Sequence, residues 1–203
     1  MTDAGFILAT RNQKKLAELR RILEASRADV SVTDLGEYPD MPEVAETGAT
    51  FTENALLKAR AVVAHTGRPA VAEDSGLCVD ALNGMPGVLS ARWAGRHGDD
   101  EANLGLVLAQ LAGVPADRRG AHFAAMAALV LPSGREHVTE GVVSGRITDA
   151  PRGTNGFGYD PIFLPASSEL TAAEMSPEAK DAISHRGRAL RALAPVIAAL
   201  LGG

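Results

Sequence analysis

A short apolar run from Phe6 to Ala9 stops at Thr10-Arg11-Asn12, and a helical pattern begins directly behind it. Leu16, Leu19 and Leu23, with Ile22 beside them, recur at three- and four-residue steps, while Lys14, Glu18, Arg21 and Glu24 fall on the other side. A strand, a tight polar turn and a helix form the opening of an α/β domain, and this arrangement turns backbone amides and a helix amino terminus toward a phosphate. Asn12 can cap that helix, and Lys15 sits one turn in. The T-x-N-x-x-K pattern has two readings by itself: a capped helix with a solvated lysine, or a phosphate-binding turn. It is not a Walker sequence, because it lacks the glycines and the Gly-Lys-Ser/Thr ending.

The second constraint is the run AVAEDSGLCVD beginning at Ala70. Its acidic pair Glu73-Asp74 follows apolar residues and precedes Ser75-Gly76, which predicts two carboxylates where a strand stops and a turn begins. Such a pair either caps the turn or holds a hard divalent cation. Mg²⁺ takes one or two protein carboxylates and leaves its other positions to water and substrate phosphates.

The segment between Ser31 and Gly48 reads as loop, with Pro39, Pro42 and the acidic residues Asp40, Glu43 and Glu46. Thr50 and Glu53 make a capping box for a helix through Leu56, Leu57, Ala59, Val62 and Val63, stopped at Gly67. Glu46 therefore precedes a helix start. Asn83-Gly84 and Pro86-Gly87 mark turns, and Asp99-Asp100-Glu101 leads a helix with the stripe Leu104, Val107, Leu108 and Leu111. The acidic lead is expected to complement the helix dipole. Residues 122–131 and 136–147 read as two strands of a hairpin, although the alanines of the first leave helix open.

Residues 151–161, PRGTNGFGYDP, present Phe157, Tyr159 and Asp160 on a glycine-rich turn before the strand Ile162-Phe163-Leu164. Aromatic residues are only 4% of the chain, so a ring carried there is either a core anchor or a stacking platform for a ligand ring. No G-x-G-x-x-G follows a first strand, which removes a dinucleotide fingerprint. Ser176-Pro177 starts a helix that includes Lys180, and Ser184-His185-Arg186 precedes a last helix with Leu190, Leu193, Ile197 and Leu200.

The class of protein is narrowed by what is missing. The 203 residues fit one domain, 1–203, with room for two lobes. A net charge of −5 argues against nucleic-acid binding through a broad basic face. Cys78 is the sole cysteine, and the histidines are scattered, so neither a disulfide nor a zinc site is expected, as in a reducing cytoplasm. No stretch approaches the roughly 20 apolar residues of a membrane span, and the start MTDAGFILAT does not read as a signal peptide. A Ser75, His185 and Asp160 triad lacks a Gly-x-Ser-x-Gly elbow. Phosphate chemistry fits better, since a helix amino terminus, lysines and acidic metal ligands are all present.

Five ordered blocks then carry a specific resemblance: ILATRNQKKLAELRRIL, ETGATFTENALLKAR, AEDSGLCVDALNGMPGVLSARWAG, GFGYDPIF and AISHRGRALRAL. In order and spacing they resemble the inosine/xanthosine triphosphate pyrophosphatases, house-cleaning enzymes that convert deaminated purine nucleoside triphosphates to the monophosphate and pyrophosphate. The resemblance implies an elongated α/β fold, a mixed β-sheet with flanking helices and two lobes around a central nucleotide-binding cleft, usually as a homodimer. It implies Mg²⁺ as cofactor, held by Glu46 and Asp74, with Glu73 a further contact or a group behind them. Asp74 is the implied general base. The triphosphate would meet Thr10, Arg11, Asn12, Gln13, Lys14, Lys15 and Lys58, and Ser75 the nucleotide. Phe157 would stack on the purine, with Gly158, Tyr159, Asp160, Lys180, Ser184, His185 and Arg186 around the base. Two positions depart from the family: Glu73-Asp74 stands where many bacterial members have two aspartates, and Arg11 where glycine is common. A related pyrophosphatase acting on dTTP or UTP, and a nucleotide sensor without turnover, are the competing readings.

Overall fold

A computed structural model describes residues 5–11, 17, 20, 21 and 31–201. It contains six strands: β1 (Gly5–Leu8), β2 (Ser31–Asp34), β3 (Ala70–Val79), β4 (Gly120–Val130), β5 (Glu136–Ile147) and β6 (Phe163–Pro165). They form one mixed sheet in the order β2-β1-β3-β4-β5-β6. β1 runs parallel to both neighbours, with Ile7 opposite Thr33 on one side and Ala70 on the other, and β6 runs antiparallel to β5. Among the described residues, the α-helices with defined bounds are α1 (Phe51–Thr66), α2 (Asp100–Gln110), α3 (Pro177–Ile183) and α4 (His185–Leu201). None of the described helices is long and apolar enough to cross a membrane. The expected α/β class and mixed, helix-flanked sheet are thus present.

Local chemistry explains the elements. At the start of α1 the Thr50 side chain accepts from Glu53 N–H at 3.2 Å, and Glu53 Oε2 reaches back to Ala49 N–H at 2.6 Å. Asp99 and Ser176 cap α2 and α3, their side chains accepting from Ala102 N–H and Ala179 N–H. The alanine-rich arm left open above is strand, β4. Its alanines are buried, including Ala125, Ala127 and Ala128, because small side chains let packed layers approach closely. One expectation fails at Ser31–Asp34, read as loop but paired as β2. Four half-exposed residues at a sheet edge carry too little periodicity to be seen in the sequence.

The chain divides into two compact units. Unit 1 comprises the described residues of Met1–Asp74, Ala125–Gly141 and Arg186–Gly203. In it, one cluster sets Phe6, Leu8 and Val71 against Leu190, Leu193 and Ile197 of α4. A second sets Ile7, Ala70 and Ala72 against Ala59 and Val62 of α1. The alternation along β1 and β3 is the two-residue period of a strand buried on both faces. Each fully buried leucine or isoleucine there contributes about 1.5–3 kcal/mol. Unit 2 comprises Ser75–Ala124 and Val142–His185. Its core joins Leu77, Val79, Val107 and Leu111 to Phe123, Ile147, Ile162 and Phe163.

Candidate active site

The acidic pair does not lie where the sequence suggested. Glu73 and Asp74 are inside β3, well before its end at Val79, and both are buried. Adjacent residues of a strand point to opposite faces, so the pair is divided between two surroundings. Val71 shares its face with Glu73 and packs toward α4; Ala72 shares its face with Asp74 and packs toward α1. A buried strand tolerates two charges only because each meets an opposite charge.

On the α1 face of unit 1, Lys58 Nζ donates to Glu46 Oε1 at 2.7 Å and to Asp74 Oδ1 at 3.1 Å. Burial opposes the ammonium charge, but the nearby carboxylates of Asp74, Glu46 and Glu73 outweigh it and raise the pKa of Lys58 above its ordinary value. Its head is therefore a fixed positive charge shared by two carboxylates. On the α4 face, Arg186 Nε stands 3.3 Å from Glu73 Oε1, with both side chains buried. Arg186, expected at the base, stands beside Glu73. Thr10, two residues past β1, and Glu73 line a cavity of about 10 Å³ beside Leu190. Arg11 is exposed, and its guanidinium donates to the Met41 carbonyl. Asn12, Gln13, Lys14 and Lys15 lie outside the described residues.

The carboxylates can be tested against Mg²⁺ from their own chemistry. Among the described residues no group of three His, Cys, Asp or Glu side chains converges as a metal cage. Glu46 and Asp74 nonetheless present oxygens to one cationic point, now held by an ammonium, and two carboxylates are the usual protein share for Mg²⁺ on a phosphate substrate. The donor set fits.

Unit 2 holds a different arrangement. A small pocket of about 20 Å³ is lined by Phe123, Val143, Asp160, Lys180, Ser184 and His185 among others. His185 lies face to face on Phe123, with centroids 4.7 Å apart and planes at 8°. Phe123 in turn meets Phe163 edge-on at 4.7 Å. Asp160 Oδ2 accepts from Lys180 Nζ at 2.6 Å and from Phe157 N–H at 2.8 Å. Gly156 (φ 77°) passes so close that a Cβ there would stand 2.1 Å from Asp160 Oδ2, which explains the glycine. Lys180 Nζ also sits 5.1 Å from the centre of the Phe157 ring.

Two neighbours of Phe157 serve to hold it. Gly158 N–H donates to Asp100 Oδ2 at 2.9 Å, so the acidic lead of α2 does more than complement a dipole. Tyr159 is buried, and its hydroxyl donates to the Ser90 carbonyl at 2.8 Å. Burial, with the charge of Asp100 adding, raises its pKa far above the phenol range. It belongs to the core of unit 2 and is not among the pocket lining. Ser75, half-buried, directly follows Asp74 on β3.

Sequence reasoning passed over Asn54 and Phe123, and read Asp100 only as a dipole complement. Asn54 is fully buried and donates to Asp74; its position one helical turn before Lys58 was the available signal. For Phe123 the signal was the scarcity of aromatic residues in the chain.

Comparison with known proteins places the chain in a family. The sequence pattern of the Ham1 family matches residues 6–196. A Streptomyces coelicolor protein named dITP/XTP pyrophosphatase is 59% identical over 196 residues, covering 97% of this chain and 98% of that protein. A Nocardia farcinica protein of the same name is 60% identical over 201 residues, 98% of each. A crystal structure titled nucleoside-triphosphatase / dITP/XTP pyrophosphatase, from Mycobacterium abscessus, superposes with a TM-score of 0.78 at 59% identity, covering 94% of this chain and 99% of that one. A Ham1 protein from Coxiella burnetii superposes with a TM-score of 0.87 at 42% identity, covering 96% and 98%. The resemblance read from five sequence blocks is borne out, and the chain belongs to the Ham1 family.

Proposed function

We propose that this protein is a nucleoside-triphosphate pyrophosphatase that hydrolyses non-standard purine nucleotides, dITP, ITP and XTP, to the monophosphate and pyrophosphate. Relatives at about 60% identity over nearly the full chain carry the name dITP/XTP pyrophosphatase. The observation that carries the chemistry is the Lys58 ammonium joined to Glu46 and Asp74. Residues 1–203 act as one pyrophosphatase domain of two lobes. The phosphate chemistry belongs to unit 1 and the base recognition to unit 2.

Glu46 and Asp74 would hold Mg²⁺, with Glu73, paired with Arg186, adding its charge from behind. When bound, Mg²⁺ supplies charge neutralisation at the phosphate oxygens. Asp74 orients a water and takes its proton as the water oxygen attacks the α-phosphorus. The bond from that phosphorus to the bridging oxygen breaks, and pyrophosphate leaves with the electron pair. Lys58 and Thr10, with Arg11 and the adjoining 12–15 segment, balance and hold the phosphates, and Ser75 contacts the nucleotide.

Phe157 stacks on the purine, and Gly158, Tyr159 and Asp160 fix the turn that carries it. Lys180 and His185, with Ser184 beside them, provide donors for the 6-oxo group. Adenine presents an amino group there, so donor would meet donor, at a cost of about 1–3 kcal/mol for each group left unpaired. The single cysteine suits the reducing cytoplasm, where the protein works as a homodimer.

Hydrolysis of ITP against UTP at equal concentration with Mg²⁺ tests the substrate class. Faster ITP turnover is expected, whereas faster UTP turnover would make this a pyrimidine-directed enzyme.

A further inference from the structure

Asn54 is buried to 0% exposure, yet none of the steps above uses it. It lies on α1 one turn before Lys58, so both side chains share a face of the helix. Both ends of its carboxamide are engaged: Oδ1 accepts from Gly48 N–H at 2.8 Å, and Nδ2 donates to Asp74 Oδ2 at 3.1 Å. A backbone N–H can only donate, so the amide oxygen must face Gly48 and the NH₂ must face Asp74. Gly48 has no room for a side chain, since a Cβ would stand 2.7 Å from Asn54 Oδ1 and 2.6 Å from Glu53 Cβ. Glu46, just ahead of Gly48 in the loop, and Asp74 are the two carboxylates that share Lys58.

We propose that Asn54 is a positioning residue for both carboxylates. Its NH₂ fixes the rotation of the Asp74 carboxylate while Lys58 holds the other oxygen, and its carbonyl pins the loop that brings Glu46 to the same ammonium. A neutral donor suits this place, because it orients Asp74 without competing for the positive charge that Asp74 must keep meeting. The proposal rests on the role of Asp74 given above. Its two ends are separable: Asn54→Asp keeps an acceptor for Gly48 N–H and turns the donor facing Asp74 into a repelling oxygen.

The test compares the full chain with Asn54→Asp, Asn54→Ser and Asp74→Asn, by Mg²⁺-dependent pyrophosphate release from ITP and by thermal melting. Asn54→Asp is expected to lose about 10- to 100-fold in kcat while KM for ITP stays within about twofold, the pattern of a misaligned base over an intact base pocket. Asn54→Ser, which reaches neither partner and adds no charge, carries the same expectation if Asn54→Asp does not fold. An unchanged kcat in a folded variant overturns the proposal, and so does a loss in kcat that disappears when the assay is run well below the melting transition. Asp74→Asn separates the two claims. An inactive Asp74→Asn beside a fully active Asn54 variant rejects only the positioning role, whereas a fully active Asp74→Asn rejects Asp74 as the base.

Discussion

Each unit buries one aspartate against one lysine, and the two pairs differ in what else the carboxylate holds. In unit 1, Asp74 meets Lys58 at 3.1 Å and the side-chain amide of Asn54 at 3.1 Å. In unit 2, Asp160 meets Lys180 at 2.6 Å and the backbone N–H of Phe157 at 2.8 Å. A carboxylate bound to side-chain heads can exchange an ammonium for a metal or a water with little movement of the chain. A carboxylate bound to a backbone amide is part of the turn itself. Under the proposed function the same residue type would serve chemistry in one unit and architecture in the other, with the partners deciding which.

Paired substitutions put that contrast at risk. Asp74→Asn is expected to lower kcat about a thousandfold with KM for ITP little changed, because a general base is lost while the base-binding residues of unit 2 are untouched. Asp160→Asn should instead cost about 2 kcal/mol of stability and raise KM, with kcat falling less than about tenfold, as read by melting and steady-state kinetics. If the two variants behave alike, the distinction between the pairs is wrong. A smaller effect separates two neighbours on the glycine-rich turn. Phe157→Ala should raise KM about tenfold through lost stacking on the base. Tyr159→Phe loses only the bond to the Ser90 carbonyl, so it should cost about 1 kcal/mol in melting and leave KM unchanged. A raised KM in Tyr159→Phe would return that hydroxyl to the base pocket.

Much of the scaffold was legible in the order of residues alone. The Thr50–Glu53 cap and the Gly67 stop bounded α1, and Leu104, Val107, Leu108 and Leu111 marked the inner side of α2, because these signals are local. What escaped depends on residues distant in sequence. Glu73-Asp74 read as a turn since two adjacent charges are foreign to a buried strand. Lys58 and Arg186, each far along the chain from the carboxylate it meets, make the strand possible. Asp100 read as a dipole complement, and only the folded chain brings Gly158 N–H onto its carboxylate. Tyr159 and Phe157, close together on one turn, are indistinguishable by type, and only the fold shows which hydroxyl or ring is taken up by the core.

The central claim is a cut at the α-phosphorus of a 6-oxo purine nucleotide, and product identity tests it most directly. ITP, XTP and dITP incubated with the protein and Mg²⁺ should each yield the monophosphate and one pyrophosphate, with ATP turned over at least about tenfold more slowly in kcat/KM if one donor mismatch is decisive. Release of orthophosphate with the diphosphate, or equal turnover of ATP and ITP, would contradict the account.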